Sequence, residues 1–309
     1  MNDTLVDLTP EIVQEKVACG ESLSGEDLTG MNLSSMPLVG ADFRNAILNK
    51  VNFTKSDLTK CNFNGANLAQ AVFTSANCSE AIFINADLNQ LVGDKAKFEK
   101  AIIDKAIFSK SNLQGANFSG AKGSQCMFEE ANLSGSCFDK VELVSANFSL
   151  ATMNNARFES AEIIDSTFVN ATGENINMKG ATLTGMRGNG CRFPKGIFVE
   201  VKADGGIFES SDFKSADFSY ASLKNCLFST SDLSQSTMYA VDCTEANLSE
   251  ANCMRASMSS ANFFRATFER ANLVNADLSK SNCYEAEFLE AITEKTKFSG
   301  ANLNATKLK

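Results

Sequence analysis

The chain has 309 residues, with 28 Lys and Arg against 37 Asp and Glu for a net charge of −9, and it contains neither histidine nor tryptophan. The missing histidine excludes a Ser-His-Asp triad, a Cys-His dyad, a histidine base and any histidine metal ligand. At 44% hydrophobic residues the composition is globular, and no apolar run reaches the ~18 residues of a membrane span, so no membrane association is expected.

Residues 1–25 stand outside any repeat. The chain starts acidic, Met1-Asn-Asp-Thr-Leu-Val-Asp7, unlike the basic start of a secretion signal. Thr9-Pro10 supplies an N-cap followed by a proline at the first helical position. Leu8 and Val13 are spaced as a hydrophobic staple, and Gly20 is placed to stop the helix. The spacing predicts a helix over 10–19, with Ile12, Val13 and Ala18 on one apolar face and Val17 beside it. This segment, 1–25, is expected to cap the rest of the chain at its N-terminal end.

From Met31 the chain reads in fives to Lys309 without an insertion or deletion. The third residue of each five is called the centre, and the first the small slot. Of 56 centres from Leu33 to Leu308, 40 are Leu or Phe, and 31 of the 56 small slots are Ala. Of the 24 phenylalanines, 23 are centres and only Phe264 is not. None of the 65 charged residues occupies either column, so both columns must be interior. A period of five fits neither a helix at 3.6 nor a flat strand at 2. It requires a chain that turns a corner every five residues, four corners closing a coil of twenty.

The motif Ala-(Asp/Asn)-(Leu/Phe)-x-x, as in Ala41-Asp-Phe, Ala66-Asn-Leu, Ala116-Asn-Phe, Ala246-Asn-Leu and Ala301-Asn-Leu, resembles the pentapeptide-repeat family. The resemblance covers residues 26–309 and implies an all-β, right-handed quadrilateral β-helix. About 14 coils at ~4.8 Å would make a rod of roughly 67 Å, a single domain over 26–309.

Regularity weakens between Ala171 and Phe208. Gly173, Gly188 and Ala203 are centres there, Met186, Gly196, Val201 and Gly206 take small slots, and Pro194 interrupts a strand or corner. Two readings are open: a packing irregularity within a distorted coil or two, or a shaped binding patch carrying Arg187, Arg192, Lys195 and Lys202. The end of the repeat has no cap. Lys295, Lys297, Lys307 and Lys309 are placed to blunt an open edge above Leu303 and Leu308; alternatively, two rods meet end to end as a homodimer.

Eight of the ten cysteines fall on centres or small slots, as core packing. No CxxC occurs, so no zinc or other metal is expected, and unpaired buried thiols suit a reducing cytoplasm. Carboxylates occur singly on outward positions and glycines form no phosphate loop, so neither an enzyme nor a cofactor is expected. Two functions remain. Some members of the family resemble duplex DNA and bind DNA gyrase. That mimicry needs a continuous negative surface, whereas successive stretches carry −7 (1–42), +4 (43–122), −5 (123–179), 0 (180–232) and −1 (233–309). The lysines at 50, 55, 60, 95, 100, 105 and 110 fall on all four faces, so direct nucleic-acid binding is not expected. The favoured reading is a rigid bacterial scaffold for a protein partner that the sequence does not name. The opening Leu8-Thr-Pro-Glu…Gly20-Glu-Ser-Leu-Ser-Gly-Glu-Asp-Leu also resembles the lead-in of repeat proteins associated with type VI secretion, which implies an accessory or adaptor role.

Overall fold

The computed structural model describes residues 8–306, and the chain divides into two compact units, Met1–Cys137 and Phe138–Lys309. Both are built from one local device, shown by the pentad Val51–Lys55. Its five backbone amides all find acceptors. Asn52 donates back one coil to the Met31 carbonyl, while Phe53 and Lys55 donate forward to the carbonyls of Val72 and Thr74, all at 2.7–3.0 Å. The Val51 amide closes the preceding turn onto Leu48. The Thr54 amide has no backbone partner and donates instead to Oδ1 of Asn52, at 3.0 Å. This is why the second residue of the motif is Asn or Asp: a short side-chain acceptor two residues back satisfies the one amide that the ladder leaves over. The same bond recurs at Asn62, Asp87, Asp217 and Asn247.

The fifth residue of each pentad turns the corner in the left-handed region, at φ between +50° and +62° for the non-glycine residues there. Bridging residues pair in parallel with the residue twenty positions on, such as Asn32 with Asn52 and Asn52 with Val72. Each coil therefore has four faces. They are numbered I to IV by their centres: Leu33, Leu38, Phe43 and Leu48 in the first unit, and Met153, Phe158, Ile163 and Phe168 in the second. On face III the corner opens into short strands, β1 (Lys122–Ser124) in the first unit and β2 (Glu142–Val144) and β3 (Glu162–Ile164) in the second. Strands β2 and β3 pair in parallel, with Leu143 opposite Ile163.

Every centre from Leu33 to Phe288 is buried, and so is every small slot from Ala41 to Ala286. Serine or cysteine in a small slot can donate to a carbonyl of the preceding coil, as Ser56 does to Leu33, Ser111 to Leu88 and Cys61 to Leu38, or to one in its own coil, as Ser136 does to Leu133 and Ser281 to Leu278. At these positions burial leaves no unpaired hydroxyl, whereas the buried Ser236 hydroxyl has no partner.

In the first unit the rings of Phe43, Phe63 and Phe83 stack on face III at 5.1 and 4.9 Å. Phe53 and Phe73, on the opposite face, meet them edge to face. The stacks then pass to faces II and IV, where Phe98, Phe108, Phe118 and Phe128 alternate at 5.5–5.6 Å with planes 81–90° apart. Opposing rings thus interleave half a coil apart. Small centres free the space: a Cβ on Gly93 would lie 2.9 Å from Leu113, and one on Gly123 would lie 2.8 Å from Ile103.

The helix α1 spans Pro10–Ala18, one residue short of the expected end, with Thr9 as N-cap accepting from the Ile12 amide. It ends on Gly20 at φ +73°: Glu21 donates to the Lys16 carbonyl and Gly20 to Val17, the paired bonds of a Schellman stop. Val13 is fully buried and Ile12 and Val17 are half-buried, but Ala18 is exposed, so the apolar face is narrower than the spacing predicts. The expected roles of Lys307, Leu308 and Lys309 lie outside the described residues. Lys295 and Lys297 are exposed and paired with Glu294 and Asp277.

Candidate interaction surface

The four cations of the expected patch do not come together. Arg187 lies on face IV, Arg192 and Lys195 on face I, and Lys202 on face III, opposite Arg192, in the twenty-residue register. Lys195 is held by Glu174 at 2.8 Å. The backbone of this stretch keeps its register, with Thr172, Asn177, Thr182 and Arg187 each bridging the residue twenty on, so the expected distortion of the coil is absent. The irregularity is in the packing. Phe193 and Phe213 enter on face I, giving phenylalanine on three faces at once. Phe213 packs against Phe198, Phe208, Phe218 and Phe228 at 5.3–6.0 Å. The glycines make room: a Cβ would come 2.5 Å from the Phe198 ring at Gly196, 2.6 Å from Phe208 at Gly206, and 3.2 Å from Phe193 at Gly173.

Charge is sided in the second unit. Its faces III and IV carry 12 carboxylates against 5 cations over residues 138–306, a net of −7; faces I and II carry 9 against 10. Chain-order sums conceal this because each stretch averages around the coil. On the corner after face III, Arg265 bridges Glu245 at 3.9 Å and Glu285 at 2.7 Å; on the next corner, Arg270 does the same between Glu250 and Glu290. Both guanidiniums are held more firmly protonated by these carboxylates.

Aromatic side chains outside the centre column are confined to this unit. Tyr220 and Tyr239 meet edge to face at 5.4 Å on the corner between faces II and III, 58% and 41% exposed. Phe264 and Tyr284 stack at 6.0 Å on the corner between faces III and IV, with the Arg265 guanidinium 4.8 Å above the Phe264 ring. Between the two corners, face III is paved by an amide ladder: Asn262 donates to Asp242 at 3.1 Å and Asn282 to Asn262 at 3.0 Å. Phe264 stands out in the sequence as the only off-centre phenylalanine. The three tyrosines carry the same signal, each off the centre column.

All ten cysteines are free thiols. Burial pushes Cys61, Cys126, Cys191, Cys226 and Cys253 up to about 12, and raises Cys78 and Cys243 well above the ordinary range, so these thiols are poor nucleophiles. Among the described residues no group of His, Cys, Asp or Glu is arranged to hold a metal ion, and no helix is long and apolar enough to cross a membrane. A cavity of about 330 Å³ in the second unit is lined by Arg265, Thr267, Glu285, Glu287 and Ala305.

The family model described as pentapeptide repeats matches the chain in overlapping segments through 37–163, 197–235 and 238–309. The unmatched 164–196 holds Gly173, Gly188 and Phe193, where the ring stacks change faces. Among solved structures, HetL, a pentapeptide repeat protein involved in heterocyst differentiation regulation from the cyanobacterium Nostoc sp. Strain PCC 7120, is 21% identical, with 98% of this chain and 95% of that one covered at a TM-score of 0.38. Full-length QnrB1, a plasmid-mediated fluoroquinolone resistance protein, is 16% identical over 65% of this chain and 91% of its own, with a TM-score of 0.42. Rfr23 from the cyanobacterium Cyanothece 51142 is 20% identical over 43% and 91%, with a TM-score of 0.24. At these identities and scores the solved structures lend the chain no function. No curated protein matches the sequence closely enough to count as a relative.

Proposed function

The chain belongs to the pentapeptide-repeat family, and from that membership we propose that it is a rigid scaffold working through protein contacts rather than by catalysis. The observation that carries this reading is the contrast between a backbone that repeats one twenty-residue register coil after coil and an outward surface that differs from face to face in the second unit. A stiff coil holds outward side chains at fixed spacing, so a partner pays little ordering entropy on its account.

Mimicry of DNA that engages gyrase is the alternative. The sided charge of the second unit favours it more than the chain-order sums do, but the density argues against it. B-DNA places one charge per ~1.7 Å of axis, about 24 over the ~40 Å that eight coils span. Faces III and IV together offer 12 carboxylates, net −7. Capture with the tagged chain from its native extract, read by mass spectrometry, separates the readings. Enrichment of gyrase or topoisomerase subunits makes mimicry the function. Enrichment of another assembly supports the scaffold, and secretion components among it would support the type VI adaptor role.

End-to-end pairing is a further part of this proposal. Up to Leu278 and Cys283, centre amides donate to the next coil, but those of Thr293, Phe298 and Leu303 find no acceptor among the described residues. Whatever covers this coil must supply those acceptors, and a second copy stacked on it would do so while burying the half-buried Phe298 and Leu303. A strictly monomeric mass by sedimentation at high concentration removes this pairing and leaves the scaffold reading intact.

A further inference from the structure

Resting on the scaffold reading, we propose that face III of the second unit, between Tyr220 and Tyr284, is a docking surface for an extended protein segment that sets a lysine or arginine beside an apolar side chain.

Four rings sit where the fold has no use for them. In a chain with 23 phenylalanines in its core column, the off-column aromatics are Tyr220, Tyr239, Phe264 and Tyr284, all on the two corners that bound one face. Tyr220 is the clearest case. It holds a left-handed corner at φ +62°, which glycine or asparagine adopts with less strain than a bulky residue. Its ring is nonetheless 58% exposed and gains little burial in return. The corner angle is shared by the other non-glycine corners, so what sets Tyr220 apart is a large exposed ring that adds nothing to the core. Exposed tyrosines, with arginine nearby, are the residues that supply most binding energy at protein interfaces.

Geometry gives the occupant's form. Tyr220 and Tyr284 are about three coils apart, roughly 15 Å, which is the reach of about five extended residues at ~3.3 Å each. The Asp242–Asn262–Asn282 ladder between the corners is already hydrogen-bonded within itself, so the surface is preorganised.

Charge gives the occupant's sign. The cations on the strip are already engaged, Lys224 by Asp242 at 3.4 Å and Arg265 by Glu285 at 2.7 Å and Glu245 at 3.9 Å, so the strip's three carboxylates, Asp242, Glu245 and Glu285, outnumber its two cations. An incoming cation meets carboxylates not fully neutralised and rings able to receive it, as the Phe264 ring already receives Arg265 at 4.8 Å.

The test is selection of a random dodecapeptide library, displayed on phage, against the immobilised full chain. Selected peptides are then titrated against three variants: Tyr220→Asn with Tyr239→Ser and Tyr284→Ser; the three tyrosines changed to Phe; and Lys95→Glu with Lys100→Glu in the first unit. Circular dichroism checks that each keeps the coil. The expected result is enrichment of peptides with Lys or Arg next to aliphatic or aromatic residues, a loss of about ten-fold or more in affinity with the ring-free variant, and no loss with the Phe or first-unit variants. Acidic selected peptides, equal binding to the ring-free variant, or no enrichment would each overturn the proposal. The scaffold reading is tested separately: native partners captured equally by the wild-type chain and the ring-free variant would leave it standing while removing this surface.

Discussion

Residues 43–83 of the first unit and 171–228 of the second solve one packing problem in two ways. In the first stretch two opposite faces hold all the rings, and the small slots stay close to Ala. In the second, rings come from three faces, the slots beside them shrink to Gly196 and Gly206, and the vacated centres are Gly173 and Gly188. The backbone register is the same in both. The difference teaches that sequence irregularity in this fold is absorbed by side-chain volume before it reaches the backbone. An interruption of the motif is therefore weak evidence for a binding site.

Alkali is the broadest way to strain that comparison. The folded thiol pKa lies above the unfolded value of ~8.5, so between there and about 12 the unfolded chain loses protons that the folded chain keeps. Stability is complete below pH ~8.5 and falls as pH rises, by up to about 1.4 kcal/mol per pH unit for each buried thiol. The second unit buries Cys191, Cys226, Cys243, Cys253 and Cys283, while the first buries Cys61, Cys78 and Cys126. Alkylation mapped by mass spectrometry from pH 7.5 upward should label exposed Cys19 at once and the second unit's buried thiols before those of the first. The reverse order would mean that the denser cluster is the more stable one. Next in size is Phe63→Ala. It removes a fully buried ring with four aromatic neighbours and should cost about 3–5 kcal/mol, read as a shifted denaturation midpoint.

The fold was legible because its signal is periodic. A charge-free pair of columns over more than fifty pentads leaves only a coil that turns every five residues, and Thr9, Pro10 and Gly20 are unambiguous helix punctuation. The role of Asn and Asp in the second position was not legible, since it depends on which amide the ladder leaves unpaired. How opposed phenylalanines fit one narrow core was not legible either, because sequence position does not reveal that rings from opposite faces meet half a coil apart. The surface was harder. Arg187, Arg192, Lys195 and Lys202 are close in sequence, but in a twenty-residue coil nearness in sequence scatters residues over different faces. The rings that do share a neighbourhood, Tyr220 and Tyr284, are 64 positions apart, and only the register connects them.

A smaller effect sharpens the contrast between slot and corner. At Gly206→Ala the new Cβ would lie 2.6 Å from the Phe208 ring and 2.9 Å from the Ala203 carbonyl oxygen, which as backbone cannot move aside. A loss of about 1–3 kcal/mol is expected. Gly205→Asn, one residue away, faces open space at a left-handed corner that asparagine tolerates, and should change the midpoint little. Equal losses at the two positions would show that backbone angle, not ring volume, dictates glycine in this stretch.

The smallest effect on stability is expected at Tyr220→Asn, and that smallness is what makes it informative. If the ring is surface, removing it costs a single edge-to-face contact with Tyr239 while relieving a left-handed corner, and the denaturation midpoint should hold to within about 0.5 kcal/mol. A loss near that of Phe63→Ala would mean that Tyr220 belongs to the fold, and that the aromatic corners are part of the core's logic and not an exception to it. Retention of stability, together with loss of peptide binding, separates the two uses this chain makes of aromatic rings: phenylalanine inside for cohesion, tyrosine outside for contact.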